Sequence, residues 1–207
     1  MAQLKLVNGL VWPAADEMCC EVVFEEAKLL ELIYPYITDW SAVVQAGGNC
    51  GVFAMSLATK FQTVYTFEPD PTNFTCLAHN TSDFENVVRL QAALGAGTEP
   101  PIQLKRFEGN CGAHQVRPGG DIPVLTVDSL RLPSCGALLL DVEGYEFHAL
   151  KGAVETIRRC RPVIQLELKG IGNQYGMPET ETDVWLCSGF GYKREAAIAN
   201  DRFYVPV

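Results

Sequence analysis

The stretch Leu138-Leu139-Leu140-Asp141-Val142-Glu143-Gly144-Tyr145-Glu146 decides the fold. Three consecutive leucines suit a strand buried on both faces, the way strands of parallel sheets read. An acid closes the run, glycine turns the chain, and a helical pattern begins at Tyr145. Asp141 and Glu143 therefore stand at the carboxyl end of a strand, where open α/β sheets bind their ligands. About seventy residues earlier, Phe67-Glu68-Pro69-Asp70-Pro71 repeats the order of strand end, acid and helix start.

Working outward, Pro69 disfavours an α conformation at Glu68 and holds it extended. Asp70 suits the N-cap and Pro71 the first position of a helix running to about Thr81. Ala42-Val43-Val44 reads as a buried strand leading into Gln45-Ala46-Gly47-Gly48-Asn49-Cys50-Gly51, with a helix from Val52 to Lys60 behind it. Strands are predicted at 64–67, 87–91, 138–141 and 162–168, and helices at 145–159 and 180–187. Two more β-prone segments, 102–107 and 122–127, flank a glycine-rich loop, and 192–207 reads as two strands about Asn200-Asp201. Asn8-Gly9 predicts a hairpin over 4–12, and 21–34 has helical periodicity. Residues 1–40 are thus expected as a hairpin and helix within a single domain whose core is 41–207. Strands alternating with helices, with an antiparallel ending, predict an α/β sheet covered on both faces.

The bulk properties narrow the function. The 207 residues can bury a sizeable core. A formal charge of −9 leaves no overall field to gather nucleic-acid phosphates. Eight cysteines contain no Cys-x-x-Cys pair, and the three histidines lack ligand spacing. A structural zinc site is therefore not expected, and the cysteines read as small hydrophobes in a reducing, cytoplasmic setting. The first residues lack the charged and long apolar regions of a signal peptide, and no apolar run approaches a membrane span.

Gly47-Gly48-Asn49-Cys50-Gly51 lies between strand and helix, a place where glycine lets a ligand approach the main chain. Glu68, 21 positions after Gly47, ends the next strand, where an acid can accept hydrogen bonds from both hydroxyls of a ribose. NAD and S-adenosylmethionine share this geometry. A dinucleotide turn reads G-x-G-x-x-G so that pyrophosphate can approach the middle glycine. Asn49 occupies that middle position here, and the spacing favours the methyl donor, which carries no phosphate.

These motifs resemble the FkbM family of S-adenosylmethionine-dependent methyltransferases. The similarity runs in order from Val43–Phe53 through Phe67–Pro71 with Asn80, Ile122–Leu130 and Asp141–Glu146, to Leu150, Gly152, Arg161-Pro162 and Glu167, roughly residues 41 to 168. It implies a class I, Rossmann-like methyltransferase sheet of seven strands, mostly parallel with the last antiparallel. It also implies O-methylation of a hydroxyl on a sugar or other small metabolite. The donor contacts expected on this basis are Gln45, Gly47, Gly48, Asn49, Gly51, Glu68, Pro69 and Ala92, the last from the adenine position around Gln91-Ala92-Ala93. One departure stands out. Family members usually carry an acid where this chain has Gln45, and that acid holds the donor's ammonium group. An uncharged glutamine predicts weaker donor binding, because charge-assisted hydrogen bonds are about twice as strong as neutral ones.

For catalysis, Asp141 is expected nearest the transferred methyl, with Glu143 and Glu167 orienting the acceptor's hydroxyls. Asp141 could instead cap the following helix, Glu146 reads as a structural residue of that helix's first turn, and His148 as a packing or surface residue. His114 lies in a loop that could reach an acceptor. The acids do not supply the full oxygen set of a magnesium or calcium site, so no metal is expected. The loops 109–120 and 170–182 have the composition of lids, and Trp12, Tyr34, Tyr36 and Trp40 are available to frame an acceptor. A nicotinamide-dependent oxidoreductase and a degenerate, non-catalytic cofactor-binding scaffold are the competing readings.

Overall fold

The structure, a computed structural model, describes residues 3–207. In chain order it contains the hairpin β1 (Leu4–Val7) and β2 (Leu10–Pro13), then α1 (Cys19–Glu26) and α2 (Leu30–Ile33). There follow β3 (Ala42–Ala46), α3 (Val52–Ala58), β4 (Thr63–Phe67), α4 (Pro71–Asn80), β5 (Val87–Leu90) and β6 (Ala93–Leu94). Next come β7 (Ile102–Lys105), β8 (Gln115–Pro118), β9 (Val124–Leu125), β10 (Ala137–Leu140), α5 (Glu146–Lys151) and α6 (Val154–Cys160). The chain closes with β11 (Val163–Glu167), α7 (Glu179–Val184), β12 (Tyr192–Ile198) and β13 (Asp201–Pro206).

Seven strands form the main sheet in the order β12-β13-β11-β10-β3-β4-β5. β11, β10, β3, β4 and β5 pair in parallel, while β13 runs antiparallel to both its neighbours. The expected class I architecture is therefore observed, including the antiparallel last strand. Strand order reverses between β3 and β10, which fixes the switch point at the carboxyl ends of those two strands.

The period-2 alternation of side chains divides the core. Val44, Ala46, Phe67, Leu138, Leu140, Ile164 and Leu166 pack on one face with Leu150 and Ile157 of α5 and α6. Val43, Val64, Ala137, Leu139 and Val163 pack on the other with Leu30, Ile33, Ala54 and Leu57 of α2 and α3. Each buried leucine contributes on the order of 1.5–3 kcal/mol of hydrophobic stabilisation.

Three details depart from expectation. The segment 145–159 divides into α5 and α6, because Gly152 packs so tightly that a Cβ there would lie 2.0 Å from the Gly95 carbonyl oxygen. The loop between the two β-prone segments contains β8, which forms a hairpin with β7, while β9 pairs with β6 outside the main sheet. The predicted helix 21–34 starts two residues earlier and is interrupted by a 3-10 turn at Ala27–Leu29.

Candidate active site

A cavity of about 300 Å³ opens at the switch point. Its floor comes from the ends of β3, β4 and β10: Ala46–Asn49, Phe67–Pro69 and Asp141–Glu143. Ala92, Ala93 and Leu94 close one side, and α1 with its N-cap residue (through Met18, Val22 and Glu26) and the loop Asn110–Gly112 stand across from the floor.

The glycine turn is closed on itself. Gly47 has φ +87°, and a Cβ there would meet the Asp141 carbonyl oxygen at 2.0 Å. Every N–H from 47 to 51 has a partner inside the protein. Gly47 and Gly48 donate to the Phe67 carbonyl (3.2 and 2.8 Å), Asn49 to Glu68 Oε2 (2.7 Å), Cys50 to Asn49 Oδ1 (2.6 Å) and Gly51 to the Gly48 carbonyl (2.9 Å). A turn that cradles pyrophosphate leaves such groups free for the ligand.

Glu68 is held extended as Pro69 demands, with 5 % of its surface exposed. Its other oxygen, Oε1, accepts from the Asp70 N–H at 2.7 Å. Burial pushes its pKa up to about 8, against those two backbone hydrogen bonds. Asp70 caps α4, accepting from Thr72 and Asn73, with Pro71 following it as expected.

At the end of β10 and β11 three carboxylates converge. Asp141, Glu143 and Glu167 each offer an oxygen within 4.8 Å of the others. Among the described residues the cation they share is Lys169. Its Nζ hydrogen-bonds Glu143 Oε1 at 2.6 Å, lies 2.6 Å from Glu167 Oε2 and 4.0 Å from Asp141 Oδ1. The Glu167 contact is an ion pair whose angle falls outside hydrogen-bond geometry. About half of the Asp141 side chain (51 %) is accessible, and that surface faces the cavity. Enclosure by the surrounding walls, then a hydrogen bond and repulsion from Glu167, push its carboxyl well above the usual range, with Lys169 opposing. Glu143 is raised as well, by burial first, with Lys169 again pulling down. Three acids against one ammonium leave this wall electronegative.

Of the expected donor contacts, Gly47, Gly48, Asn49, Glu68, Pro69 and Ala92 line the cavity, together with Asp141 and Glu143. Glu167 lies in an adjoining crevice with Asp141. Gln45 and Gly51 stand apart. Gln45 is buried in that crevice, where its Nε2 donates to the Gly47 carbonyl at 2.7 Å and its Oε1 accepts from Thr66. Both ends of its amide are thus engaged within the protein, and its side chain does not line the cavity. Gly51 caps α3 at φ +95°, and a Cβ there would meet Thr81 Cγ2 at 3.0 Å, so its smallness serves helix packing.

The other sequence readings divide. Glu146 accepts the N–H groups of Val142 and Gly144 and so braces the turn below the site. His148 stacks on Tyr145 and contacts Glu99 at 3.2 Å. His114 lines the cavity 4.0 Å from Asp70 Oδ2, its pKa lowered by burial. The aromatic frame does not form: Tyr34 and Phe61 pack on Trp40, just before the start of β3, at the opposite end of the sheet. Trp12 is buried with its Nε1 on Asp16 Oδ2 at 2.8 Å. Residues 109–120 contribute Asn110–Gly112, His114 and Val116 to the cavity, while no described residue of 170–182 lines it. Lys169 and the α1 wall were missed. The signal for Lys169 was its place two residues after Glu167, on the same side of an extended segment.

Known proteins resemble this arrangement. The family model of the methyltransferase FkbM domain matches residues 46–193. The hexuronic acid methyltransferase AglP of Haloferax volcanii is 26 % identical over 147 residues, covering 67 % of this chain and 61 % of the relative. Among solved structures, methyltransferase FkbM from Methylobacillus flagellatus superposes with a TM-score of 0.55 at 18 % identity, covering 81 % of this chain and 43 % of that one. Precorrin 8w decarboxylase of Methanobacterium thermoautotrophicum superposes at 0.53 with 12 % identity, covering 88 % of this chain and 90 % of that one. The chain spans about three fifths of the curated relative and less than half of the FkbM structure, and at such identities the structural likeness is one of fold. With the family match running through both carboxylate-bearing strand ends and most of its length, this chain belongs to the FkbM methyltransferase family.

Proposed function

We propose that this chain binds S-adenosylmethionine in the cavity and methylates a hydroxyl of a sugar or other small metabolite. The observation that carries the choice of donor is the closed glycine turn, whose N–H groups are all engaged within the protein. It leaves no anion cradle for a dinucleotide, and the electronegative wall favours a donor with a positive sulfonium. When bound, S-adenosylmethionine supplies an electrophilic methyl group.

The chain's own residues supply position and proton traffic. Glu68 offers lone pairs beyond its two backbone bonds to a ribose beside Asn49. Gly48, Pro69 and Ala92 are small or flat enough to admit the nucleoside. Asp141, facing the cavity with its carboxyl raised, is positioned to accept the acceptor's hydroxyl proton as a general base. Glu143 and Glu167, tied together by Lys169, orient the sugar hydroxyls. Gln45 acts on the donor only through the Gly47 carbonyl. With the glutamine in that role, it ceases to argue for a degenerate scaffold. The sugar class is supported by the hexuronic acid methyltransferase relative, of which this chain spans 61 %.

The test pairs calorimetry with a transfer assay. The protein is titrated with S-adenosylhomocysteine and with NADH, then supplied with methyl-labelled donor and a panel of hydroxylated acceptors that includes hexuronic acids. Saturable binding of the thioether product and label on a sugar oxygen are expected. Binding of NADH alone, or label on carbon or nitrogen, refutes the reading.

A further inference from the structure

A row of buried sulfurs runs beside the cavity, outside the acidic cluster assigned above. Cys19 of α1, Cys111 of the 110–112 loop, Cys50 and Cys76 pack in one buried cluster with Trp12 and Val52. Of these four, Cys19 and Cys111 line the cavity and meet whatever small molecule enters it. Both also grip Asn49: its Nδ2 lies 3.2 Å from Cys19 Sγ, and Cys111 Sγ lies 3.7 Å from its Oδ1. Their backbones are pinned to a single atom. Asp16 Oδ1 accepts from the N–H of Cys19 at 3.3 Å and of Cys111 at 2.8 Å, which keeps the two nitrogens no more than about 6 Å apart. A disulfide needs Cα atoms about 4.4–6.8 Å apart, and nitrogens this close are compatible with that. Gly112, whose missing Cβ would lie 2.9 Å from Cys19 Sγ, leaves room for the sulfur to turn.

We infer that Cys19 and Cys111 form a peroxide-driven, reversible disulfide across the mouth of the cavity, a switch that closes the donor site. The gating half of this inference rests on the donor assignment proposed above; the bond itself does not. The neighbouring thiols of Cys19 and Cys50 draw the Cys111 thiol down, which makes it the nucleophile of the step. A thiolate attacks one peroxide oxygen, giving a sulfenic acid and releasing hydroxide. The Cys19 thiol then attacks the Cys111 sulfur, forming the S–S bond and expelling water with its proton. Two thiols and one hydrogen peroxide thus yield one disulfide and two waters. The bond draws both sulfurs away from Asn49 and ties α1 to the 110–112 loop.

Full-length reduced protein is exposed to hydrogen peroxide, alkylated and digested without reductant, in the wild type and in Cys20→Ser, which removes the neighbouring thiol from the same peptide. Mass spectrometry should find the Cys19 and Cys111 peptides joined, two hydrogens lighter, in both proteins, and separated by dithiothreitol. Calorimetry with S-adenosylhomocysteine should show affinity reduced at least about tenfold in the oxidised form and restored on reduction. No link, or one at Cys50–Cys76 or Cys50–Cys111, overturns the inference, as does a Cys19–Cys111 link that leaves affinity unchanged. Reduced protein that binds no S-adenosylhomocysteine refutes the donor reading and the gating with it, while the peptide pair still reports on the bond.

Discussion

Replacing Lys169 with methionine removes the cation from three carboxylates while keeping an unbranched side chain of similar length. Breaking a fully buried ion pair costs about 3–5 kcal/mol, and losing an exposed one about 0–1. The Lys169 side chain is 32 % exposed and contacts two carboxylates at 2.6 Å, so we expect a loss of about 2 kcal/mol at pH 8 between those limits. For a chain of this size that lowers Tm by about 4–8 °C. The loss must depend on pH, and its sign follows from the acids. Asp141 and Glu143 already have raised folded pKa values, so their contribution is full below the unfolded pKa and falls as pH rises through the folded one. Without Lys169 both rise further, and the variant's deficit grows from pH 5 to pH 8. Urea unfolding followed by tryptophan fluorescence at both pH values measures it. An equal deficit at the two, or a larger one at pH 5, would refute the view that Lys169 holds these carboxylates in their charged form.

Three further outcomes are expected. Gly47→Ala should cost more than about 3 kcal/mol, because strain at positive φ adds to a backbone clash with Asp141; Gly176→Ala, also at positive φ (+77°) but with no atom within 4 Å, should cost about 1–2 in the same urea titration. Asp16→Asn should destabilise by about 2–3 kcal/mol at pH 7, since charged acceptors make the stronger bonds. Although burial acts to raise the Asp16 carboxyl, hydrogen bonds from Cys111, Cys20 and Trp12 outweigh it and hold it low, so the difference between the two proteins should shrink as pH falls through the folded pKa, as acid unfolding curves would show. Glu68→Ala should weaken S-adenosylhomocysteine binding by at least about tenfold in calorimetry, and unchanged affinity would remove the ribose assignment.

The central strands β3, β10 and β11 were legible because they are buried on both faces. Val43-Val44 and Leu138-Leu139-Leu140 can serve no other purpose as runs, and the proline at 69 announced the strand end that carries Glu68. What stayed hidden depends on contacts distant in sequence. Nothing around Gly152 says that the Gly95 carbonyl will press against it and split the helix. Polar Gln115–Pro118 reads as loop until Ile102–Lys105 is there to pair with it. Around the cavity, the residues on strand ends were legible as neighbours, since a strand end states its own position. Gln45 lies off the cavity because alternation sends its side chain to the face where Thr66 waits, a direction that matching a motif by position does not show. Lys169 lies just past the end of its strand and pairs both with Glu167 of that strand and with Glu143 beyond the neighbouring one, a partner the sequence does not announce.

The wall contributed by α1 precedes the region this chain shares with its family, since residues 18–26 come before the match at 46–193. Members with the same core but a different leader would present a differently shaped opening to an acceptor. On the reading proposed above, choice of acceptor can diverge while the donor floor stays fixed, and grafting residues 3–36 from one member onto another is the direct way to exchange it.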